Sequence, residues 1–172
     1  PNKNPINSSN IILETSSWKN FYITELFNIK KGERLVKEKR VPGKIPLVTA
    51  SAENNGVVDY ISYEYFKDKK ICFKNKITID MFFNVFYHDY EYFSDDNVHT
   101  LIPKFKEDNP FIYLFLVAVL KKLQYKYDYG RQLRLTRIIN DQIRLPILKN
   151  GSPDWELMKD YIQSVDYSSN IA

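Results

Sequence analysis

Residues 125–158, YKYDYGRQLRLTRIINDQIRLPILKNGSPDWELM, set the clearest architectural punctuation of this chain beside its densest basic and aromatic cluster. The second half decides the local fold. Ile143-Arg144-Leu145 reads as a short strand stopped by Pro146, which has no N–H for a ladder. Asn150-Gly151 reads as a turn and Ser152-Pro153-Asp154 as a helix start. Ser152 is the expected N-cap, Pro153 suits the first helical position, and Asp154 faces the positive end of the helix dipole. Beyond it Trp155, Met158, Ile162 and Val165 recur at spacings of three, four and three, an apolar stripe on a helix of about three turns. Two readings stand for that stripe: packing on this same domain, or the start of a helix that binds a partner.

The first half alternates rings with charge and amide: Tyr125, Lys126, Tyr127, Tyr129, Arg131, Gln132, Arg134 and Arg137, around the single Gly130. Arg and Gln pair bidentately with guanine and adenine edges, and tyrosines stack on bases or bond phosphates. Gly130 would let the backbone approach a duplex closely. The same residues also read as a solvated surface in a tyrosine- and lysine-rich chain.

Charge distribution separates these readings better than its total. The net charge is +4 and the pI about 9.0, only mildly basic. Residues 30–44 carry seven basic and two acidic residues, and residues 121–137 six and one, so the rest of the chain is net acidic. Such segregation points to one electropositive face for a polyanion. In the first run Lys30, Lys31, Arg34, Lys37, Lys39 and Arg40 are the candidate phosphate contacts. With two glycines, a proline and no periodicity, the run reads as a charged loop ordered in part only on a ligand.

A chain of 172 residues, 44% hydrophobic and 27% charged, supports one domain with a real core. One cysteine, Cys72, can form no internal disulfide, and it sits in an apolar run as a small hydrophobe. The longest apolar run, residues 111–120, is too short to span a bilayer, and the polar start is no signal peptide. The expected location is therefore a reducing cytoplasm, with no membrane partner.

The chain segments as follows. Residues 1–10 read as a linker, 11–153 as the domain, and 154–172 as a C-terminal helix and tail. Trp18 and Phe21 are core anchors, Thr24 caps a single helical turn through Leu26 and Phe27, and Gly32 closes the segment. Ile45 to Ala50 is a buried strand and Val57 to Ile61 its return, with Asn55-Gly56 as a turn pair tolerant of positive φ. Thr49, Ser51, Asn54 and Asn55 then form a rim of small hydrogen-bonding groups, read either as a binding rim or as turn chemistry. Breaks at Asn75, Asp80 and His88-Asp89 divide residues 70–93 into strands, and Val98 to Ile102 is another, ended by Pro103. Asn109 or Asp108 caps a core helix with Pro110 at its first position. The fold class is α/β in the mixed α+β sense: a mostly antiparallel or mixed central sheet, a few packed helices and a C-terminal helix.

Catalytic parts are not legible. No G-x-G turn offers a cofactor site, and Asp108-Asn-Pro-Phe111 lacks the second proline of an amino-methyltransferase motif. Two histidines and one cysteine are too few for a zinc site. Pro153-Asp154 opens a nuclease-like pattern that finds no acidic-lysine strand downstream. Asp95-Asp96 with His99 could hold magnesium, although a polar turn is the commoner meaning. The expectation is a protein with no catalytic residue, no metal and no cofactor.

The motifs together resemble the target-recognition domain of the DNA specificity subunit of type I restriction-modification systems and of related type II enzymes. The matching residues run from Trp18, Leu26-Phe27 and Lys31-Gly32 through Ile45-Pro-Leu-Val-Thr-Ala-Ser51, Asn54-Asn-Gly-Val57, Ile77-Thr-Ile-Asp80 and Phe86-Tyr-His88. They continue to Tyr129-Gly-Arg-Gln132, Ile143-Arg-Leu-Pro146 and Gly151-Ser-Pro-Asp-Trp155, with Met158 and Tyr161-Ile162. The resemblance implies loops on a sheet that read half of a bipartite double-stranded DNA site. It also implies a partner methyltransferase subunit that methylates adenine, a restriction subunit joined through it, and a second recognition domain. This chain has one such domain and no long helical spacer, as expected of a fragment, a half-subunit that pairs, or the last domain of a fused enzyme. A non-catalytic protein-interaction domain with an aromatic and basic surface is the alternative.

Overall fold

The β-branched and aromatic middle of the chain forms the sheet that carries everything else. The computed structural model describes residues 11–165; the linker expected at 1–10 and the tail beyond Val165 lie outside the described residues. In chain order the elements are β1 (Lys19–Tyr22), α1 (Ile23–Leu26), β2 (Phe27–Lys31), β3 (Pro42–Val48), β4 (Val57–Ile61) and α2 (Tyr63–Phe66). Then come β5 (Lys76–Asp80), β6 (Val85–His88), β7 (Phe93–Ser94), β8 (Val98–Pro103), α3 (Pro110–Lys121), α4 (Leu135–Ile138), β9 (Gln142–Leu145) and α5 (Trp155–Ser164).

Strands β2-β8-β5-β6 form a four-stranded antiparallel sheet in that order, and β4-β3-β7 a three-stranded sheet in which β3 and β7 run parallel. A third pairing joins β1 to β9 antiparallel. The mixed α/β class expected from sequence is the observed one. The alternation of β5 and β8 explains why both are buried on two sides. Ile77, Ile79 and Leu101 face the main core, which α3 fills with Ile112, Phe115, Leu116 and Leu120. Thr78 and Thr100 face the other way into a polar seam. There Thr78 Oγ1 lies 2.8 Å from His88 Nε2, His88 Nδ1 lies 2.9 Å from the Tyr90 hydroxyl, and the Tyr92 hydroxyl lies 3.2 Å from Thr100 Oγ1. Burial pushes the His88 imidazole down to about 4.

Local chemistry sets the element ends. Asn109 Oδ1 accepts from Phe111 N at 2.9 Å and Pro110 opens α3, as its sequence predicts. At α5 the cap is Asp154, whose carboxylate accepts from Leu157 N at 3.0 Å; Ser152 instead closes an Asx turn on Asn150. The longer reach of the aspartate at the helix dipole outcompetes the serine two residues earlier. Likewise α1 begins at Ile23, with Glu25 accepting from Tyr22 N at 2.6 Å, so Thr24 is inside the turn and Phe27 already belongs to β2. The turn before β4 uses three residues of positive φ, Asn54 (47°), Asn55 (51°) and Gly56 (77°).

The run 30–44 is more ordered than a free loop. Lys30 and Lys31 end β2, Leu35 is buried against Leu47 and Phe66, and Leu35 N donates to Asp95 Oδ1 at 2.7 Å. Gly32 packs so tightly on the Ser94 and Asp95 carbonyls that a Cβ would collide with them. Cys72 is half-buried on the same small core as Leu35, and burial pushes its thiol up. No described helix is long and apolar enough to cross a membrane.

Candidate nucleic-acid interface

At one end of the four-stranded sheet, Lys31 pairs with His99, His99 with Ile79, and Ile79 with Val85. The connections that leave this end are the 32–41 run, the 81–84 turn and the Asp95–Asn97 turn. The 127–137 segment is bolted onto it: Leu133, 1% exposed, donates its N–H to the Met81 carbonyl at 2.8 Å. Phe83 stacks on Tyr127 at 4.9 Å, and Phe82 meets Tyr129 at the same separation.

Those anchors sort the aromatic-basic cluster into two classes. Tyr127, 8% exposed, hydrogen-bonds with its hydroxyl to Asp141, and Lys126 Nζ lies 2.9 Å from the same carboxylate. Burial first, then Asp141, pushes the Tyr127 phenol up. Tyr127 and Lys126 therefore hold the segment in place and are not presented to a ligand as the sequence reading expects. Outward stand Tyr129, at 87% exposure, Arg131, Arg134 and Arg137. Gln132 links them: its Oε1 accepts from Arg134 Nη2 at 3.1 Å and its carbonyl from Arg137 Nη1 at 2.7 Å. The side-chain amide expected to read a base here holds Arg134, and the main-chain carbonyl of the same residue holds Arg137. Gly130 needs neither positive φ nor a close approach, since a Cβ there meets only Asp128 Oδ1 at 3.4 Å.

Across a cleft of about 360 Å³ from Arg134 stands Lys31. The walls add Met81, Asp96, Asn97, Leu133, Leu135 and Thr136, and His99 lies buried among them. Burial, then Lys31 and Arg134, pushes the His99 imidazole down to about 4. Arg34 lines an adjoining hollow over the same Asp95–Asn97 turn. Lys30, Lys37 and Lys39 are exposed, the last two on a 3-10 turn. Arg40 is an exception: it pairs with Asp59 at 3.3 Å with its side chain 18% exposed, a tie between the run and β4. In the 49–56 connection Ser51 Oγ accepts from Glu53 N at 3.2 Å and Asn54 Nδ2 donates to the Val57 carbonyl at 3.1 Å, which is turn chemistry. Thr49 is half-buried, and Asn55 is exposed.

A family model for the type I restriction modification DNA specificity domain matches residues 15–171. The chain belongs to that family. Among relatives of this specificity domain is the specificity subunit S.BcgI of a type II restriction enzyme from Heyndrickxia coagulans. It is 32% identical over 158 residues, 90% of this chain and 45% of that one. Solved structures share the fold. The S subunit of a type I restriction-modification system from M. genitalium aligns with a TM-score of 0.64 at 21% identity, over 91% of this chain and 40% of that one. The HsdS subunit from Thermoanaerobacter tengcongensis aligns at 0.60 and 13% identity, over 95% and 41%. The specificity domain thus spans less than half the length of each of these proteins.

The C-terminal stripe of the specificity domain is mostly spent on its own core. Met158 is 0% exposed within the main core, and Trp155 stacks on Phe105 at 4.3 Å. The expectation of a partner-binding row is corrected for Met158, because α5 lies on α3 and turns it inward, while Trp155 stays half-exposed. Ile162 borders an open groove of about 590 Å³ together with Trp18, Phe115 and Tyr161, and Val165 lies past the helix end. Two residues escaped sequence reading. Asp141, buried, takes Tyr127 and Lys126 on its carboxylate and Ile23 N on its carbonyl. In sequence His99 reads only as a magnesium ligand beside Asp95-Asp96; its position two before Leu101 in the strand from Val98 is the signal that it points to the core side.

Proposed function

We propose that this chain reads one half of a bipartite double-stranded DNA target for a restriction-modification complex, and itself catalyses nothing. The observation that carries the reading is that Lys31, Arg34 and the segment bearing Arg131, Arg134 and Arg137 lie at one end of the four-stranded sheet, with Arg134 and Arg137 held by Gln132 and the segment anchored through Leu133. Long cations on fixed elements suit phosphates, and an exposed arginine left without a side-chain partner among the described residues, Arg131, suits a base edge. Family membership supports the same reading.

Methyl transfer and cleavage then fall to partner methyltransferase and restriction subunits, with a second recognition domain reading the other half-site. The apolar groove bordered by Trp18, Phe115, Tyr161 and Ile162 favours a protein contact beside α3 and α5, and supports a bifunctional module over a pure DNA binder. Binding to a random-sequence duplex pool at two salt concentrations tests the DNA reading. A steep fall of affinity with salt is expected, followed by recovery of one enriched sequence from the bound pool. Affinity independent of salt, or no enrichment, would return the chain to the protein-interaction alternative.

A further inference from the structure

The cleft between Lys31 and Arg134 has a floor that charge alone does not explain. His99 sits on β8 directly opposite Lys31 of β2, so the two side chains leave the same face of the sheet. The imidazole is 5% exposed, and its buried Nδ1 has no hydrogen-bond partner among the described residues. Its sheet neighbour is the apolar Ile79, and the adjoining walls come from Met81, Leu133 and Leu135. The other histidine, His88, shows the contrast, with both ring nitrogens satisfied by Thr78 and Tyr90. A buried ring nitrogen left unbonded beside a cavity wide enough for a ligand is where a ligand completes the bonding.

Two cations line the cleft, Lys31 and Arg134, against one carboxylate, Asp96. That balance repels a metal ion and attracts an anion. We propose that the cleft is an oxyanion pocket that seats one backbone phosphate of DNA, with Lys31 and Arg134 supplying charge at its walls and His99 a hydrogen bond at its floor. The assignment of the phosphate to DNA rests on the DNA-binding reading above; the pocket itself does not. A phosphate seated there fixes the register of the duplex against Arg131 and the 127–137 segment, because both walls are pinned to the sheet.

The test follows the His99 ring resonances of the 15N-labelled chain during titration with sodium phosphate, and with sodium chloride at matched ionic strength. A saturable shift with phosphate and none with chloride is expected; equal shifts, or none, overturn the pocket. In parallel, His99→Leu is expected to weaken binding to a random duplex pool about tenfold, while His99→Gln, which keeps a donor, stays within about threefold of wild type. Should His99→Leu misfold, the surface variants Lys31→Gln and Arg134→Gln carry the test, since each must weaken the phosphate-induced shift at His99. Wild-type duplex binding with an unmoved His99 would sink the pocket and leave DNA recognition standing. A phosphate-responsive His99 in a chain that binds no duplex would keep the pocket and overturn its assignment to DNA.

Discussion

Arg131 is the exposed cation of the 127–137 segment whose side chain has no ion pair among the described residues and no clamp like those on Arg134 and Arg137. It is free to meet a base edge. Arg131→Ala is expected to cost about 1 to 3 kcal/mol on the enriched sequence and little on random duplex; equal losses on the two would make it a phosphate contact. Gln132 acts differently, through a neighbour, so Gln132→Ala should weaken both kinds of duplex by loosening Arg134, whose guanidinium its side chain holds, while Arg137 keeps its bond to the main-chain carbonyl. The histidines yield a second prediction at this scale. Burial lowers His88 and His99 to about 4 from an ordinary value near 6.5, so the folded chain binds fewer protons than the unfolded one between those limits. Their contribution to stability is fully present above about pH 6.5 and is lost as pH falls toward 4, each at up to about 1.4 kcal/mol per pH unit. Urea unfolding at about pH 7 and about pH 5 checks this, with the lower pH less stable. Asp80, whose carboxyl burial raises, acts in the opposite sense, so a higher stability at the lower pH would refute the histidine account.

Among the elements, α5 carries the strongest consequence of burial. Its inner face closes the main core over α3, with Met158 fully enclosed and Tyr161 edge-on to Phe115 at 6.0 Å. A partner-specific defect is therefore not what Met158→Asp should produce. A carboxylate forced into that core without a counter-charge destabilises the whole domain, and Met158→Ala alone should cost about 2 to 5 kcal/mol through its cavity. Ile162→Asp, on the open groove, is the variant expected to spare folding and impair assembly. The two are told apart by thermal unfolding of the isolated chain: if Met158→Ala melts like wild type, α5 is not part of the core. The short α4 and the 127–133 loop depend on a different device, the Asp141 carboxylate with its tyrosine and lysine partners.

For the molecule as a whole, the two basic runs lie about ninety residues apart in sequence yet meet at one end of one sheet. Lys31 reaches that end because β2 pairs with β8, and Arg134 because Leu133 is tied to the β5–β6 turn. A shared face of this kind predicts a collective electrostatic response. The double variant Lys31→Ala with Arg34→Ala should weaken binding to all duplexes alike and reduce the slope of log affinity against log salt by about 2, with unfolding unchanged. An unaltered slope would mean that this end of the sheet does not meet the duplex.

Periodicity, proline and turn chemistry were enough to mark the elements, because they act over a few residues: the strand from Val57 to Ile61, the break at Asp80, the Pro110 helix and the strand stopped by Pro146 stand where the sequence puts them, while the strand expected at Ile45 to Ala50 runs from Pro42 to Val48. The charge of residues 30–44 and 121–137 was also legible from the chain alone. What each charged side chain does with its charge was not. Arg40 and Lys126 look like Lys31 and Arg134 in sequence, but carboxylates distant in the chain, Asp59 and Asp141, capture the first pair and leave the second pair facing a cleft. The fate of Met158 and His99 was decided in the same way, by which surface α5 lays on α3 and which face of β8 ends at the cleft. Those are long-range packing choices, and local spacing specifies the stripe or the alternation without specifying what lies across from it.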